Sequence, residues 1–206
     1  MDATKRAVVF LDRDGTLNEE VGYIGDLDNL VLIEGAGEAV ARLNRADVAA
    51  ILTTNQTGAA RGYYPEEHIL ALNRRLVELL ACKGAHLDAV YYCPHLPEAQ
   101  VAEYALACQC RKPLPGMVLE AFSDHPELDR SRAYVVGDKA TDVELAQNCS
   151  AKGVLVTTGY GEDVLSGRYQ WSVKPDFTAS DIAEAVDWIL GDLGLAVRSP
   201  VGEGFS

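Results

Sequence analysis

The sequence predicts an α/β fold in which helices cover both faces of an open, mostly parallel sheet. Short apolar runs rich in β-branched residues alternate with stretches of helical apolar spacing, which is the order of elements in parallel sheets. Three of the apolar runs end abruptly in polar residues, as strands do at the ligand-binding edge of such sheets. No segment between these elements is long enough for a large cap domain.

Five strands are predicted from short apolar runs that turn residues or polar residues interrupt. The first run stops at Asp12 and is followed by a glycine, which is typical of a buried strand that ends in a turn. The second ends in a Thr-Asn-Gln sequence and the fourth in Gly-Asp-Lys. The predicted strands cover residues 7–11, 48–53, 89–92, 133–136 and 154–157.

Helices are predicted where apolar residues recur every three or four positions between the strands. Pro65 suits the first turn of the second helix, and Gly84 lies beyond its end. Asp181 is predicted to cap the last helix, because its side chain can accept a hydrogen bond from the first turn. The predicted helices run through Val40, Leu43 and Ala46, from Pro65 through Leu80, from near Pro115, over residues 141–148, and from Asp181 through Leu190.

Length and composition predict one soluble domain. The 206 residues suffice for a single packed domain, expected over residues 1–195, with residues 196–206 as a frayed tail. A formal net charge of −13 argues against a general nucleic-acid or anionic-membrane binder, because both need a basic surface. The chain has no transmembrane-length apolar run and no signal-peptide pattern at its start, so a cytoplasmic location is expected. The protein is also expected to be a monomer.

Two aspartates one residue apart follow the first predicted strand. Strand alternation would turn Asp12 and Asp14 to the same side, and two carboxylates so close are unfavourable unless a cation or a bound substrate compensates them. A simple turn is the alternative for an isolated Asp-x-Asp-Gly sequence. Other polar strand ends weaken that alternative, because Thr54 and Asn55 follow the second strand and Asp138 follows the fourth.

Further charged residues are predicted at the same edge of the sheet. Arg111 and Lys112 stand just before a helix, and Lys139 and Asp142 follow the fourth strand. Parallel strands place their carboxyl ends on one edge, so these side chains are predicted to meet there. An acidic protein repels phosphorylated substrates at long range, and a site for them therefore needs local cations or a metal.

Four residues with metal-binding side chains surround the loop 93–110: Cys93, His95, Cys108 and Cys110. Three thiolates and one imidazole form a closed tetrahedral set that suits structural Zn²⁺. Buried small cysteines are the alternative, which explains Cys82 and Cys149 but not four ligands around one loop without apolar periodicity. Such a zinc ion would order the loop that leads directly into Lys112.

These segments together resemble the haloacid-dehalogenase superfamily of phosphohydrolases, from Phe10 to about Val156. The nucleophile, hydroxyl, lysine and acidic motifs of that superfamily match residues 12–16, Thr54, Lys112 and residues 137–142. A closer likeness is to the branch that holds heptose bisphosphate phosphatases and histidinol-phosphatases. That likeness is carried by residues 12–18, 22–23, 54–58, 93–95 and 108–113. Within the branch, residues 59–62 and the long stretch between His95 and Cys108 look like the heptose enzymes.

The resemblance implies a Rossmann-like fold and a Mg²⁺-dependent sugar-phosphate phosphatase that forms an aspartyl-phosphate. It implies that Asp12 is the nucleophile, that Asp14 is the acid and then the base, and that Lys112 and Thr54 bind the phosphoryl oxygens. It also places Asp12, the backbone carbonyl of Asp14, and Asp138 as ligands of Mg²⁺. Water exclusion would come from the loops 19–26, 57–64 and 93–110 instead of a cap.

The remaining site residues are expected to support the reaction or to bind the substrate. Asp142 is expected to orient Lys112 or a metal-bound water, with Lys139 as a second supporting group. Three residues are expected to contact the sugar or its second phosphate: Asn55, Arg61 and Arg111. All three can donate hydrogen bonds to oxygen atoms of a phosphorylated sugar.

The implied substrate is a heptose 1,7-bisphosphate, cleaved at C7 in the biosynthesis of nucleotide-activated heptose for lipopolysaccharide core or surface glycans. A histidinol-phosphate phosphatase is the alternative enzyme, although those enzymes typically carry a shorter metal loop. A catalytically inactive, zinc-ordered binding module is the alternative from another class. The intact acidic and lysine motifs argue against it.

Overall fold

A computed structural model describes residues 5–195, in which six strands form one sheet. The spatial order is β3-β2-β1-β4-β5-β6, and every neighbouring pair is parallel. This is the strand order of doubly wound α/β proteins, so the predicted fold class is confirmed, with a sheet that is wholly and not just mostly parallel. The strands are β1 (Arg6–Leu11), β2 (Ala49–Asn55), β3 (Ala89–Cys93), β4 (Leu128–Gly137), β5 (Lys152–Val156) and β6 (Phe177–Ala179).

Helices cover both faces of the sheet, as the sequence predicts. They are α1 (Ala36–Arg45), α2 (Glu66–Ala81), α3 (Gly116–Asp124), α4 (Ala140–Asn148), α5 (Gly161–Leu165) and α6 (Ile182–Asp192). Strand alternation divides the core, because Val9 and Leu11 pack with α1, α2 and α6, whereas Val8 and Phe10 pack with α3 and α4. The central strand is therefore buried on both faces, which fixes the point at which it ends.

Two short elements were not predicted from the sequence, β6 and α5. They have three and five residues, too few for a hydrophobic period to be recognised. Strand β4 also begins five residues before the predicted position, because Leu128 pairs with Arg6 across a register irregularity. The Asp181 cap is confirmed, since its side chain accepts a hydrogen bond from the N–H of Glu184 at 2.9 Å.

Loops are concentrated between the strands at the carboxyl edge of the sheet. The loop after β3 contains one 3₁₀ turn, Ala102–Tyr104, and another 3₁₀ turn, Leu27–Asn29, lies between β1 and α1. The predicted frayed tail, residues 196–206, lies outside the described residues. Within residues 5–195, every helix is too short or too polar to span a lipid bilayer.

Candidate active site

The site lies at the carboxyl edge of the sheet, where the strand order reverses around β1. Leu11 pairs with Leu52 of β2 on one side and with Val136 of β4 on the other. The residues that follow these strands therefore emerge side by side, and Asp12 and Asp138 are the first residues beyond β1 and β4. Ligands bind in this crevice in open α/β sheets.

Lys112 joins two buried carboxylates at the centre of the site. Its Nζ lies 2.8 Å from Oδ1 of Asp12 and 2.6 Å from Oδ1 of Asp142, and all three side chains are almost fully buried. Burial alone would raise the pKa of Asp12, but the charges of Lys112 and Lys139 hold that pKa below its usual value. The ion pairs likewise hold the pKa of Lys112 above its usual value against burial. Asp12 and Lys112 are therefore both charged at neutral pH.

Asp138 is fully buried beside this group. Its Oδ2 accepts a hydrogen bond from the backbone N–H of Tyr160 at 2.9 Å, and its Oδ1 lies 3.1 Å from Nζ of Lys139. The same ammonium group also binds Glu20, at 2.9 Å. Burial raises the pKa of Asp138 to about 7, since the nearby charge of Asp12 adds to the effect and the charge of Lys139 only partly offsets it.

Two glycines form a close-fitting cradle around the Asp138 carboxylate. A Cβ atom at Gly15 or at Gly159 would stand 2.2 Å from Oδ2 of Asp138, and both glycines have positive φ angles, +79° and +55°. The hydroxyl of Thr158 donates a hydrogen bond to the carbonyl of Gly15 at 2.5 Å. The turn after β1 and the turn after β5 therefore leave no room for a side chain beside the Asp138 carboxylate.

Asp14 is held by an unusually large number of hydrogen-bond donors. The Arg13 guanidinium reaches Oδ1 from Nε at 3.1 Å and from Nη2 at 3.0 Å, and Nη2 also lies 3.0 Å from Oδ2. The side-chain amide of Asn18 donates to Oδ1 at 3.0 Å, and that of Gln56 donates to Oδ2 at 2.8 Å. The Asp14 carboxylate consequently has a defined plane.

The end of β2 places Thr54 and Asn55 at the same edge but in different surroundings. The Thr54 hydroxyl is buried and accepts a hydrogen bond from the Gln56 amide at 2.9 Å. The Asn55 side chain accepts from the N–H of Lys112 at 3.0 Å and donates to the carbonyl of Lys112 at 3.2 Å. Asn55, predicted to bind substrate, therefore holds the main chain of the lysine in this structure.

Arg111 directly precedes Lys112, and Arg61 lies in the loop that follows β2. Nη1 of Arg111 donates to the carbonyl of His95 at 3.3 Å. The Arg61 guanidinium carbon lies 5.9 Å from the centre of the Tyr23 ring, whose hydroxyl is 3.2 Å from that of Thr57. Nε of Arg61 is buried and has no hydrogen-bond partner among the described residues. Neither arginine is paired with an acidic side chain within residues 5–195, so both can meet an anion.

The four predicted zinc ligands meet in the loop 93–110. Their ligand atoms all lie within 4.8 Å of one another: Sγ of Cys93, Cys108 and Cys110, and Nδ1 of His95. Sγ of Cys110 lies 2.8 Å from Sγ of Cys93 and 3.2 Å from Nδ1 of His95. Burial, followed by the contact with Cys110, raises the pKa of the Cys93 thiol. The donor set fits a four-coordinate zinc ion, which would favour the thiolates.

Polar contacts tie this loop to the rest of the site. The Tyr104 hydroxyl donates to one carboxylate oxygen of Glu66, the first residue of α2, at 2.9 Å. The Tyr92 hydroxyl donates to the other oxygen at 2.6 Å. The N–H of Val101 donates to the carbonyl of Ala60, at 3.1 Å, in the loop that also carries Arg61.

The buried acidic cluster also fits a metal ion. Carboxylate oxygens of Asp12, Asp138 and Asp142 lie within 4.8 Å of one another. With Glu20, four carboxyl groups face only two lysine ammonium groups. Burial and the charge of Asp12 raise the pKa values of Asp138 and Asp142, and a hard divalent cation would favour the ionised form of both. Asp142 is engaged by Nζ of Lys112 at 2.6 Å and by the N–H of Lys139, and both oxygens of Asp138 are engaged as well, by Nζ of Lys139 and by the N–H of Tyr160.

Five residues of the site were missed by sequence reasoning: Arg13, Asn18, Glu20, Gln56 and Tyr160. Arg13, Asn18 and Gln56 lie inside the matched motif segments, so their position in the chain was a usable signal. Glu20 and Tyr160 lie in loops and carried no such signal.

Comparison with known proteins identifies relatives over almost the whole chain. The HAD-hydrolase-like family matches residues 109–185. The D-glycero-D-manno-heptose-1,7-bisphosphate 7-phosphatase of Thermosynechococcus vestitus is 53% identical over 188 residues, which cover 89% of this chain and 95% of that protein. The D-glycero-beta-D-manno-heptose-1,7-bisphosphate 7-phosphatase of Escherichia coli K12 is 38% identical over 90% of this chain and 88% of its own length.

A solved structure supports the same relationship. The D,D-heptose 1,7-bisphosphate phosphatase of B. bronchiseptica, crystallised with magnesium and phosphate, superimposes with a TM-score of 0.79 at 30% sequence identity. The match covers 90% of this chain and 99% of that chain. Sequence and fold therefore agree on the same group of relatives.

Proposed function

The chain belongs to the D-glycero-D-manno-heptose-1,7-bisphosphate 7-phosphatase family of HAD-like hydrolases, and we propose that it removes the C7 phosphate of that sugar. The observation that carries the proposal is the 53% identity to the Thermosynechococcus vestitus enzyme over 95% of its length. The buried group formed by Asp12, Lys112 and Asp142 supports it, because such an arrangement can bind and attack a phosphoryl group.

In the proposed reaction, a carboxylate oxygen of Asp12 attacks phosphorus and the bond from phosphorus to the C7 oxygen breaks. The lowered pKa of Asp12 keeps this nucleophile ionised. Lys112 and the Thr54 hydroxyl stabilise the phosphoryl oxygens as negative charge develops on them. The products of this step are an aspartyl-phosphate and the C7 alkoxide oxygen, which requires a proton.

Asp14 supplies that proton as a general acid and so releases the sugar hydroxyl. In the second step the Asp14 carboxylate accepts a proton from a water molecule, which attacks the phosphorus of the aspartyl-phosphate. Cleavage of the acyl–phosphate bond regenerates the Asp12 carboxylate and releases inorganic phosphate. The two steps consume one water and restore every protein group to its starting state.

We propose Mg²⁺ as the catalytic cofactor, held by the carboxylates of Asp12 and Asp138 and by the backbone carbonyl of Asp14. When bound, the ion supplies positive charge that reduces the repulsion between the nucleophile and the phosphoryl oxygens. Gly15 and Gly159 contribute by keeping the space around Asp138 free of side-chain atoms. In the proposed roles, Asp142 orients Lys112, and Lys139 partly neutralises Asp138.

We also propose a structural Zn²⁺ held by the Cys₃His set of the loop 93–110. Four protein ligands leave no open coordination position, so this zinc takes no part in the chemistry. Its effect is to order the loop, whose last ligand, Cys110, lies two residues before Lys112. The position of the phosphate-binding lysine would then depend on zinc from one side and on Asn55 from the other.

Substrate selection is proposed to depend on Arg111 and Arg61, because both are free to form charge-assisted hydrogen bonds with a second phosphate. Asn55 would contribute by fixing the main chain beside Arg111. We further propose that the enzyme is a cytoplasmic monomer that provides the heptose 1-phosphate for nucleotide activation in surface glycan synthesis. Light scattering of the purified protein tests the monomeric state.

The substrate is tested by phosphate release from both anomers of heptose 1,7-bisphosphate, from histidinol phosphate and from fructose 1,6-bisphosphate. We expect the highest kcat/KM with a heptose bisphosphate, and ³¹P NMR should show loss of the C7 phosphate. Equal or greater efficiency with histidinol phosphate would support the alternative enzyme. Absence of turnover with all four compounds, in Mg²⁺-containing buffer, would support an inactive binding module.

A further inference from the structure

We propose that Arg13, braced by Asn73 of α2, positions the Asp14 carboxylate for proton transfer; this rests on the proposed function of Asp14. Arg13 has the largest side chain among those that the described structure buries completely, with 1% of its surface exposed. Arginine is seldom buried to this extent unless its charge is paired. The charge of this buried guanidinium is paired with Asp14, the proposed acid and base.

The guanidinium group has two partners that lie on different elements. Its Nε and Nη2 atoms contact both oxygens of Asp14 at 3.0 to 3.1 Å, in the turn after β1. Its remaining nitrogen, Nη1, donates to Oδ1 of Asn73 at 3.2 Å, in the middle of α2. Asn73 is itself 5% exposed, so the brace is built into the core and does not depend on a surface side chain.

Stability alone does not account for this arrangement. A buried ion pair recovers little more than the cost of removing its charges from water, and an apolar side chain of similar volume would serve the core at least as well. A planar fork that contacts both carboxylate oxygens does fix the plane of that carboxylate. Proton transfer demands such a fixed position, because the donor must lie within hydrogen-bond reach of the reacting oxygen.

The other contacts of Asp14 complete the same geometry. Gln56 donates to Oδ2 of Asp14 and also to the hydroxyl of Thr54, a proposed ligand of the phosphoryl group. Gln56 therefore fixes the carboxylate plane relative to Thr54, and Arg13 fixes it relative to α2. Arg13 is a positioning residue in this proposal, because it does not touch the substrate.

The test compares two simple esters that differ in their need for a proton. The alkoxide of glycerol 2-phosphate must be protonated as it leaves, whereas the nitrophenolate of 4-nitrophenyl phosphate is stable as an anion. The variants are Arg13→Lys, which keeps the charge but loses the fork, and Asn73→Ala, which removes the brace. Arg74→Lys, an exposed change on the same helix, is the matched control. Thermal unfolding and metal content are recorded for each protein.

We expect Arg13→Lys to lower kcat for glycerol 2-phosphate about 30-fold or more, with KM within about threefold of the wild-type value. The burst rate of nitrophenolate release, which reports only the first step, should stay within about threefold. Asn73→Ala should cause the same pattern with a fall of about three- to tenfold. Arg74→Lys should leave both substrates unchanged.

Equal losses on the two esters, or unchanged rates on both, would overturn the proposal. If Arg13→Lys does not fold, the pattern in Asn73→Ala decides by the same criteria. A wild-type chain that cleaves both simple esters but no heptose bisphosphate contradicts the proposed substrate and leaves this comparison intact. A wild-type chain inactive on every ester overturns both proposals.

Discussion

Lys112 lies between two regions that are ordered in different ways. On one side is the sheet edge, where Asp12 follows a strand whose last four residues are completely buried. On the other side is the loop 93–110, in which no residue from 95 to 110 is buried. The edge is therefore positioned by the hydrophobic core, whereas the loop depends on polar atoms that converge at a few points. Changes in the two regions should have separable effects on chemistry and on stability.

Asp12→Asn should give the largest effect, confined to the chemistry at the sheet edge. An amide cannot act as the nucleophile and also carries no charge for Lys112, so turnover should fall roughly 10⁴-fold or more. The Tm should change little. The exposed substitution Asp28→Asn serves as the control. If Asp12→Asn kept a tenth of the wild-type kcat, the covalent mechanism would be wrong.

The double substitution Cys108→Ser/Cys110→Ser should affect mainly the loop region. Loss of the zinc ligands should remove about one zinc per chain, measured by elemental analysis of protein purified without added metal. Each kcal/mol lost from the free energy of unfolding lowers Tm by about 2–4 °C in a domain of this size, so Tm should fall by several degrees or more. Cys82→Ser, at an exposed position, is the control. Absence of zinc from the wild type, with an unchanged Tm in the variant, contradicts the zinc assignment.

Arg111→Ala should affect the junction of the two regions, because Arg111 directly follows the loop 93–110 and directly precedes Lys112. Loss of a charge-assisted hydrogen bond of about 1.5–3 kcal/mol should lower kcat/KM for heptose 1,7-bisphosphate roughly 10- to 150-fold. Activity on 4-nitrophenyl phosphate should stay within about threefold, and so should both activities of the exposed control Arg45→Ala. A parallel loss on both substrates would show that Arg111 acts on the phosphoryl site and not on the sugar.

Tyr104→Phe should have the smallest effect. It removes one hydrogen bond between the loop and Glu66, a contribution of about 0.5–1.5 kcal/mol that corresponds to a fall in Tm of a few degrees. Zinc should transfer to a chelator faster than from the wild type, because the loop opens more often. Identical Tm and identical chelation rates would mean that zinc alone orders this loop.

The five longer strands could be predicted from the sequence, and so could the edge of the sheet that carries the site. Apolar runs and the polar residues that end them are local signals. The three residues of β6 and the five of α5 could not, since their position depends on packing against β5 and α4. Local patterns also placed Asp12 and Asp138 at the ends of strands, which is where the structure has them.

Side-chain partnerships were harder to predict than positions. The sequence suggested a substrate contact for Asn55, yet its amide binds the main chain of Lys112, which lies far away in the chain. Arg13 lies inside a matched motif segment, but no local pattern indicates its burial, which depends on its contact with Asn73 of α2. Such pairings arise from tertiary packing, which no local period encodes.

The parallel pairing of β1 with β4 also has a consequence for how the chain folds as it is synthesised. Leu11 pairs with Leu52 on one side, but its partner on the other side is Val136, which leaves the ribosome much later. Until β4 arrives, the most apolar strand of the protein has an open edge that can pair with another chain. Truncation before residue 128 should therefore give an aggregating fragment, and a chaperone that shields this edge should raise the yield of the full-length protein.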